Sequence, residues 1–183
     1  MSGSLFIVSG PSGAGKSSLC GALLQQQPDL KLSVSCTTRA PRAGEVDGCA
    51  YHFISEADFE QQREQGAFLE WALVHGNLYG TRQSDVEAMM RDGNVLLEID
   101  WQGAAQVAKK IPAAVRIFIL PPSLHELRNR LISRGQDDET IVSRRVAAAA
   151  EEMSHADEAH YQVINDDFDA TLHKLLNIFA AKR

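Results

Sequence analysis

The residues whose types and spacing most clearly indicate a chemical role are the eight from 10 to 17, which read Gly-Pro-Ser-Gly-Ala-Gly-Lys-Ser. They follow an apolar run, residues 5 to 8, and precede a helical pattern, which is the context that the motif G-x-x-x-x-G-K-[ST] requires. Its glycines let backbone N–H groups point inward at phosphate oxygens, Lys16 adds a mobile charge, and Ser17 offers a hydroxyl to Mg²⁺. The alternative is a plain glycine-rich turn. The motif favours a nucleotide phosphate site built from Gly10, Pro11, Ser12, Gly13, Ala14, Gly15, Lys16, Ser17 and Ser18.

A carboxylate, Asp100, ends a second apolar run, residues 95 to 99. Open α/β sheets place their ligand crevice at the carboxyl ends of the strands. We therefore expect Asp100 to hold Mg²⁺, directly or through water, although a strand-end aspartate can also cap the next helix.

Composition limits the classes of protein that remain. The 183 residues, 44% of them apolar, suit one compact domain. A net charge of −6 argues against non-specific nucleic-acid binding, and no apolar run approaches the ~20 residues of a membrane span. Cys20, Cys36 and Cys49 have no metal-ligand spacing, so we expect free thiols in a reducing cytoplasm.

Strand and helix patterns alternate at both ends of the chain, which predicts an α/β fold with a parallel sheet and helices on both faces. The middle, roughly 36 to 90, carries short strands with hairpin signals and predicts a mostly antiparallel insert. Residues 32 to 35 are predicted as a strand, and 139 to 154 as a long helix. Ser55, Ser84 and Ser123 are predicted to cap helices.

Several further motifs together resemble the guanylate kinase family. They are Ser-Val-Ser-Cys-Thr-Thr-Arg39-Ala-Pro-Arg42-Ala-Gly-Glu45 followed by Tyr51, residues 68 to 72, 76 to 81 and 98 to 103, Arg134-Gly135, and Ile164-Asn165-Asp166-Asp167. The resemblance covers about residues 4 to 180. It implies a single domain, 1–183, with a P-loop NTPase-type core (about 1–35, 93–125 and 156–183), a GMP-binding insert (about 36–92) and a helical lid (about 126–155).

The resemblance also implies an activity and its residues. Such enzymes transfer the γ-phosphoryl group of ATP to GMP, with Mg²⁺, in purine nucleotide metabolism, and we expect dGMP to serve as well. The matching positions are Arg39, Arg42, Tyr51 and Tyr79 for the GMP phosphate, and Ser35, Glu70, Thr81 and Asp100 for guanine. A carboxylate such as Glu70 accepts from both N1–H and the 2-amino group of guanine, whereas adenine would leave it unpaired.

Arginines of the implied lid would cover the ATP phosphates. The candidates are Arg134, Arg144 and Arg145, with Arg130 as a further one, and catalytic charge is expected from Lys16, Arg39, Arg134 and Arg145. Asn165 matches an adenine-side contact or is simply a strand-end turn residue. A kinase with another base preference, or a catalytically silent binding module, are the alternatives. The oligomeric state stays open.

Overall fold

The structure is a computed structural model, and it describes residues 3–133, 135 and 138–182. The fold is of the α/β class, as expected. Its strands are β1 (Leu5–Ser9), β2 (Leu30–Leu32), β3 (Cys36–Thr37), β4 (His52–Phe53), β5 (Phe68–Val74), β6 (Asn77–Arg82), β7 (Asn94–Glu98), β8 (Val115–Leu120) and β9 (Tyr161–Ile164). Its helices are α1 (Lys16–Gln26), α2 (Glu56–Glu64), α3 (Gln83–Asp92), α4 (Trp101–Lys110), α5 (Leu124–Ser133), α6 (Glu139–Ser154) and α7 (Phe168–Ala180), with a 3₁₀ turn at Ala156–Glu158.

The larger sheet has five strands in the order β2-β7-β1-β8-β9. The pairs β2–β7 and β8–β9 are parallel, and every residue of β1 is buried. Continuous apolar strands of this kind are typical of a sheet covered on both faces, because the side chains on both faces are then buried. The predicted parallel core is confirmed.

The smaller sheet has four strands in the order β4-β3-β6-β5. Strand β6 pairs antiparallel with both β3 and β5, while β3 and β4 are parallel, so the predicted mostly antiparallel sheet is confirmed. Buried Cys36, Phe59, Phe68 and Leu78 form its core. The rings of Phe59 and Phe68 stack with centroids 4.5 Å apart, which fixes α2 against β5.

Two of the three predicted serine caps are confirmed. The hydroxyl of Ser55 accepts from the backbone N–H of Asp58, and that of Ser123 accepts from Glu126. The Ser84 cap is wrong, because β6 runs to Arg82 and α3 begins at Gln83. Ser84 therefore lies inside the first turn, where its hydroxyl donates to Asp85 instead. The predicted strand at 32–35 is also displaced, since β2 ends at Leu32.

The described chain falls into two compact units. Unit 1 contains the chain up to Phe6, Asp29–Leu97 and Gln102–Ala114; unit 2 contains Ile7–Pro28, Glu98–Trp101 and the chain from Val115 onward. The three-part division into core, insert and lid stays a prediction.

None of the described helices is long and apolar enough to cross a membrane.

Within unit 2, α5 packs against α6 through a small apolar core. Leu127 and Leu131 of α5 and Val142 and Ala149 of α6 are all buried. The side chain of Asp138 caps α6 by accepting from the N–H of Ile141. The predicted long helix at about 139–154 is confirmed. Most of its polar side chains are exposed.

The cysteines are free thiols, as expected, and their environments predict different reactivities. Burial raises the pKa of Cys20 strongly, with the Glu98 carboxylate adding to the effect, and burial raises the pKa of Cys36 to about 11. Because thiolate is the reactive form, we expect Ellman's reagent at about pH 8 to titrate one thiol of the folded protein rapidly, the exposed Cys49.

Unfolding in guanidinium should release all three thiols. Cys49→Ser should remove the rapid phase and leave the folded protein otherwise unreactive. Rapid reaction of Cys20 or Cys36 in the folded Cys49→Ser variant would contradict the burial described here.

Candidate functional site

The glycine-rich loop begins where buried strand β1 ends. Gly10 has φ of 137°, and a Cβ atom there would lie 2.2 Å from the carbonyl oxygen of Ile119. Gly15 precedes α1 in the left-handed region at φ of 96°, where a Cβ would lie 2.4 Å from Nδ2 of Asn165. Only glycine satisfies both the dihedral angle and the space at these two positions. The loop is therefore shaped by its glycines, as the motif predicts.

Lys16 lies back over this loop. Its ammonium donates to the carbonyl oxygens of Gly10 and Pro11, at 2.5 and 3.0 Å. The backbone N–H of Ala14 donates to the carbonyl of Pro11 at 3.1 Å, which closes the turn. The loop thus presents a cation and the amino end of α1 in one place, an arrangement that attracts phosphate.

Ser17 has a partner that the sequence did not identify. Its hydroxyl donates to Oε1 of Glu98 at 2.5 Å. Glu98 is the last residue of β7, so the strand-end signal that selected Asp100 applies to it equally. Asp100 itself follows β7 and is half-buried within unit 2.

These oxygen donors fit a magnesium ion. Within residues 3–133, 135 and 138–182, no cluster of three or more His, Cys, Asp or Glu side chains could hold a metal. Mg²⁺ does not need one, since it usually takes one or two protein oxygens and completes its shell with water and substrate phosphates. The Ser17 hydroxyl beside a carboxylate matches that preference.

Asn165 holds the loop from the opposite side. Its side chain is 6% exposed, and Nδ2 donates to the carbonyl oxygen of Ala14 at 2.7 Å. Its backbone N–H continues the β8–β9 ladder by donating to Leu120. The structure therefore gives Asn165 a supporting bond to the loop, and the predicted contact with adenine stays a prediction.

The predicted lid arginines differ in their contacts. Arg145 donates to the hydroxyl of Ser12 at 3.0 Å, whereas its neighbour Arg144 is exposed. Arg130 pairs with Glu126 and donates to the carbonyl of Asn165. Arg134 lies outside the described residues. Of the described candidates, Arg145 is the one that contacts the glycine-rich loop directly.

Helix α6 brings a carboxylate to the same region. Glu152 lies seven residues after Arg145, two helical turns along the same face. Burial raises the pKa of Glu152, the charges of Asp100 and Glu151 raise it further, and Lys16 and Arg145 act against the shift. Just beyond, the rings of His155 and Trp101 stack with centroids 3.6 Å apart. Helix α6 is thus held in unit 2 by the contact of Arg145 with Ser12 and, just past its last residue, by the stacking of His155 on Trp101.

The second group of predicted residues lies in unit 1, around Arg39. Its Nε donates to the hydroxyl of Tyr79 at 3.2 Å, and its guanidinium lies 5.5 Å from the ring centroid of Tyr51. The rings of Tyr51 and Tyr79 meet edge to face, 5.7 Å apart. Three of the four residues predicted for the GMP phosphate are therefore brought together.

Glu45 completes this group; it belongs to a motif that carries the resemblance, but no role was predicted for it. It accepts from Nη2 of Arg39 at 2.9 Å and from the backbone N–H of Arg42 at 2.7 Å. The hydrogen bond from Arg39 is the main reason why the pKa of Glu45 is lowered, and the pair also raises the pKa of Arg39. One carboxylate therefore orients the Arg39 side chain and fixes the backbone at Arg42, which is exposed.

Ser35, Thr81 and Glu70 form a hydrogen-bonded row. Glu70 is 3% and Thr81 0% exposed, and the Thr81 hydroxyl donates to Oε1 of Glu70 at 2.5 Å. The Ser35 and Thr81 oxygens lie 3.1 Å apart. Because the single hydroxyl proton of Thr81 is used on Glu70, Ser35 must donate to Thr81. Three of the four residues predicted for guanine are thus brought together, and the fourth, Asp100, is the residue described above in unit 2.

A buried strand, a turn that requires glycine, and a helix that begins at Lys16 define a P-loop nucleotide-binding protein. The model of one protein family, described as guanylate kinase, matches residues 2–182. A guanylate kinase of Bordetella pertussis is 52% identical over 183 residues, covering 100% of this chain and 85% of that protein. One of Cupriavidus pinatubonensis is 54% identical over 182 residues, covering 99% and 84%.

A solved structure agrees with these sequences. The crystal structure of guanylate kinase from Anaplasma phagocytophilum aligns with a TM-score of 0.82 at 34% identity, covering 98% of this chain and 86% of that one. The chain belongs to the guanylate kinase family. It is accordingly an enzyme, a nucleoside monophosphate kinase that phosphorylates GMP.

The environment of Glu152 predicts a pH-dependent effect on stability. A carboxyl whose pKa is raised by folding stabilises the folded state below its ordinary pKa of 4.5, and that contribution is lost as the pH rises through the higher value. Glu152→Gln removes the ionised form, so we expect it to increase the free energy of unfolding at about pH 7.5 and to have a smaller effect near pH 4.5.

Urea denaturation at the two pH values measures this difference. Glu64→Gln, which removes an exposed carboxylate of α2 that is not among the charges acting on Glu152, is the control and should change little at either pH. A Glu152→Gln protein that is less stable than the parent at about pH 7.5 would show that the carboxylate is favourable there, against this account.

Proposed function

We propose that the protein transfers the γ-phosphoryl group of ATP to GMP, and to dGMP, giving ADP and GDP, with Mg²⁺ bound. The observation that supports this most strongly is the buried carboxylate of Glu70 beside two hydroxyls, in a chain that also has an intact phosphate loop. The first is suited to guanine and the second to a triphosphate. The proposal places the enzyme in the cytoplasm, in purine nucleotide metabolism.

The donor side of the reaction would use unit 2. Backbone N–H groups of the loop from Gly10 to Ser18, Pro11 excepted, would surround the ATP phosphates, and Lys16 would move from the loop carbonyls to phosphate oxygens. Arg145 is the described lid arginine best supported for this role, because it already contacts Ser12. Mg²⁺ would be held by Ser17, with Asp100 or Glu98 acting through water, and would neutralise charge on the phosphates.

The acceptor phosphate would use the Arg39 group. Two guanidinium forks, Arg39 and Arg42, and two phenols, Tyr51 and Tyr79, suit a phosphate dianion. Glu45 supports this role by orienting Arg39, which otherwise has several rotamers available. When GMP binds, its phosphate would share the Arg39 guanidinium with Glu45, and the charged donors would be fully paired.

Guanine would be read by the row of Ser35, Thr81 and Glu70. Because the row's protons point toward Glu70, the Ser35 oxygen keeps lone pairs that accept from a ligand. Guanine N1–H and its 2-amino group are donors, and they match the Glu70 carboxylate and the Ser35 oxygen as acceptors. Adenine has an unprotonated N1, which would meet the buried carboxylate without a hydrogen bond and lose the free energy of a charged pair.

The chemistry requires alignment more than proton transfer. The phosphate of GMP is largely ionised at pH 7, since its second pKa is about 6, so no general base is needed. The enzyme must bring an acceptor oxygen in line with the γ-phosphorus and neutralise the charge that spreads over the transferred group. Lys16, Arg39, Arg145 and Arg134 are the cations proposed for that task.

The different-class alternative, a catalytically silent binding module of the same fold, is less well supported. A silent module has no need for Lys16 on an intact loop or for the Ser17–carboxylate pair. An enzyme with another base preference is less well supported, because guanine alone among the four common bases offers two adjacent donors, N1–H and the 2-amino group, to the buried carboxylate.

A coupled ADP-release assay with GMP, AMP, CMP and UMP as acceptors tests the proposal. We expect turnover that depends on Mg²⁺ and on GMP. Glu70→Gln should lower kcat/KM for GMP by roughly tenfold to a hundredfold, since hydrogen bonds to a charged group are worth about 1.5–3 kcal/mol. The KM for ATP should stay unchanged, because Glu70 is assigned to the acceptor alone.

Glu87→Gln is a suitable control, since it removes the same charge from the exposed face of α3 in the same unit. Equal turnover of all four acceptors by the parent enzyme would refute the assignment of guanine. An unchanged preference for GMP in Glu70→Gln would refute the role of Glu70 while leaving the kinase activity in place.

A further inference from the structure

Strand β5 contains a bulge next to Glu70. Phe68 lies opposite Arg82 of β6, but Glu70 lies opposite Thr81, so Leu69 is an extra residue on β5. Phe68, Leu69 and Glu70 are consequently all buried, at 4%, 2% and 3% exposure, whereas a regular strand would turn alternate side chains outward. The bulge sets the register that puts the Glu70 carboxylate beside the Thr81 hydroxyl.

Lys110, the last residue of α4, bonds to the bulge itself. Its ammonium donates to the carbonyl oxygens of Leu69 at 2.6 Å and Phe68 at 3.3 Å. Strand β5 is one of the two edge strands of the four-stranded sheet, so these carbonyls lie at a strand that pairs on one side only among the described strands. A bulge interrupts ladder hydrogen bonds, and Lys110 supplies a charged donor at that position.

Gln106, one turn earlier on α4, bonds to the residue on the other side of Glu70. Its Nε2 donates to the carbonyl oxygen of Trp71 at 2.6 Å, and its Oε1 accepts from the N–H of Trp71 at 3.2 Å. The side-chain amide thus satisfies both backbone groups of Trp71, as a neighbouring strand would. We call Gln106 and Lys110 the α4 clamp. Both clamp residues and the residues they hold belong to unit 1.

The α4 clamp matters because the register of β5 against β6 can change only by whole residues. Moving a strand by one residue turns each of its side chains to the opposite face. If the bulge relaxed, Phe68 to Glu70 would regain alternation, and Glu70 could no longer lie beside Thr81 with both of its neighbours buried. The free energy that holds the bulge therefore also holds the carboxylate in place.

We infer that Gln106 and Lys110 are positioning residues for base recognition: by holding the β5 bulge from α4, they fix Glu70 against Thr81. The inference rests on the proposed function of Glu70 as the acceptor for guanine. Both residues bond to backbone atoms on either side of Glu70, so their effect on guanine passes through the placement of that side chain. Their loss should therefore weaken selection of the acceptor and spare the use of ATP.

The test compares Lys110→Met, which keeps the length of the side chain and removes its ammonium, with Lys109→Met, the adjacent exposed lysine on the same helix. In the full-length enzyme we expect Lys110→Met to raise the KM for GMP about fivefold, and to lower the ratio of kcat/KM for GMP over AMP by a similar factor. The KM for ATP should not change. Lys109→Met should match the parent, Lys110→Arg should restore most of the selectivity, and Gln106→Ala should reproduce the loss.

A double-mutant cycle with Glu70→Gln separates positioning from general stability. If the clamp acts through Glu70, adding Lys110→Met to Glu70→Gln should produce no further loss of base selectivity, although it can still lower the melting temperature. A folded Lys110→Met enzyme with the parent's KM for GMP and base selectivity would overturn the inference, as would additive losses in the cycle.

Failure of the proposed function would look different. In that case Glu70→Gln itself would leave selectivity unchanged, whereas failure of the clamp alone would leave Glu70→Gln impaired and the clamp variants normal. Should Lys110→Met not fold, Gln106→Ala decides the question alone, because it removes only the bonds to Trp71. Parent-like selectivity in Gln106→Ala would then overturn the inference.

Discussion

The unit 1 site depends on one constraint, the burial of a carboxylate. Glu70 is 3% exposed, and a buried acid of this kind requires donors, because an unpaired charge in a protein interior is costly. Thr81 supplies a donor and Ser35 orients Thr81. The bulge in β5, the stacked phenylalanines beneath it and the α4 clamp all serve the same geometry.

The glycine-rich loop in unit 2 concentrates positive charge, whereas the unit 1 site buries a negative charge. Its backbone N–H groups and Lys16 gather positive charge, which the carboxylates of Glu98, Asp100 and Glu152 partly balance. A triphosphate with its metal ion would change that balance. Burial is the main cause of the raised pKa of Glu152, and the charges of Asp100 and Glu151 add to it. The contact of Arg145 with Ser12 brings α6 to the same loop.

Local patterns predicted the parts of the structure that depend on neighbouring residues. Glycine spacing predicted the loop, and an alanine-rich stretch predicted α6 at about its observed bounds. The resemblance brought together Arg39 with Tyr79 and Glu70 with Thr81. Contacts between distant segments were missed. Ser17 meets Glu98 across 81 positions and Lys110 meets Leu69 across 41, and neither local sequence indicates the distant partner. A bulge likewise leaves no mark in an apolar run.

The central claim is that the Glu70 carboxylate, held by its neighbours, reads the donors of guanine. Calorimetric titration of the unaltered enzyme with GMP and with IMP tests it most directly, because IMP lacks only the 2-amino group. We predict that IMP binds at least about tenfold more weakly, the loss of one hydrogen bond to a charged acceptor. Equal affinities for the two nucleotides would contradict the account.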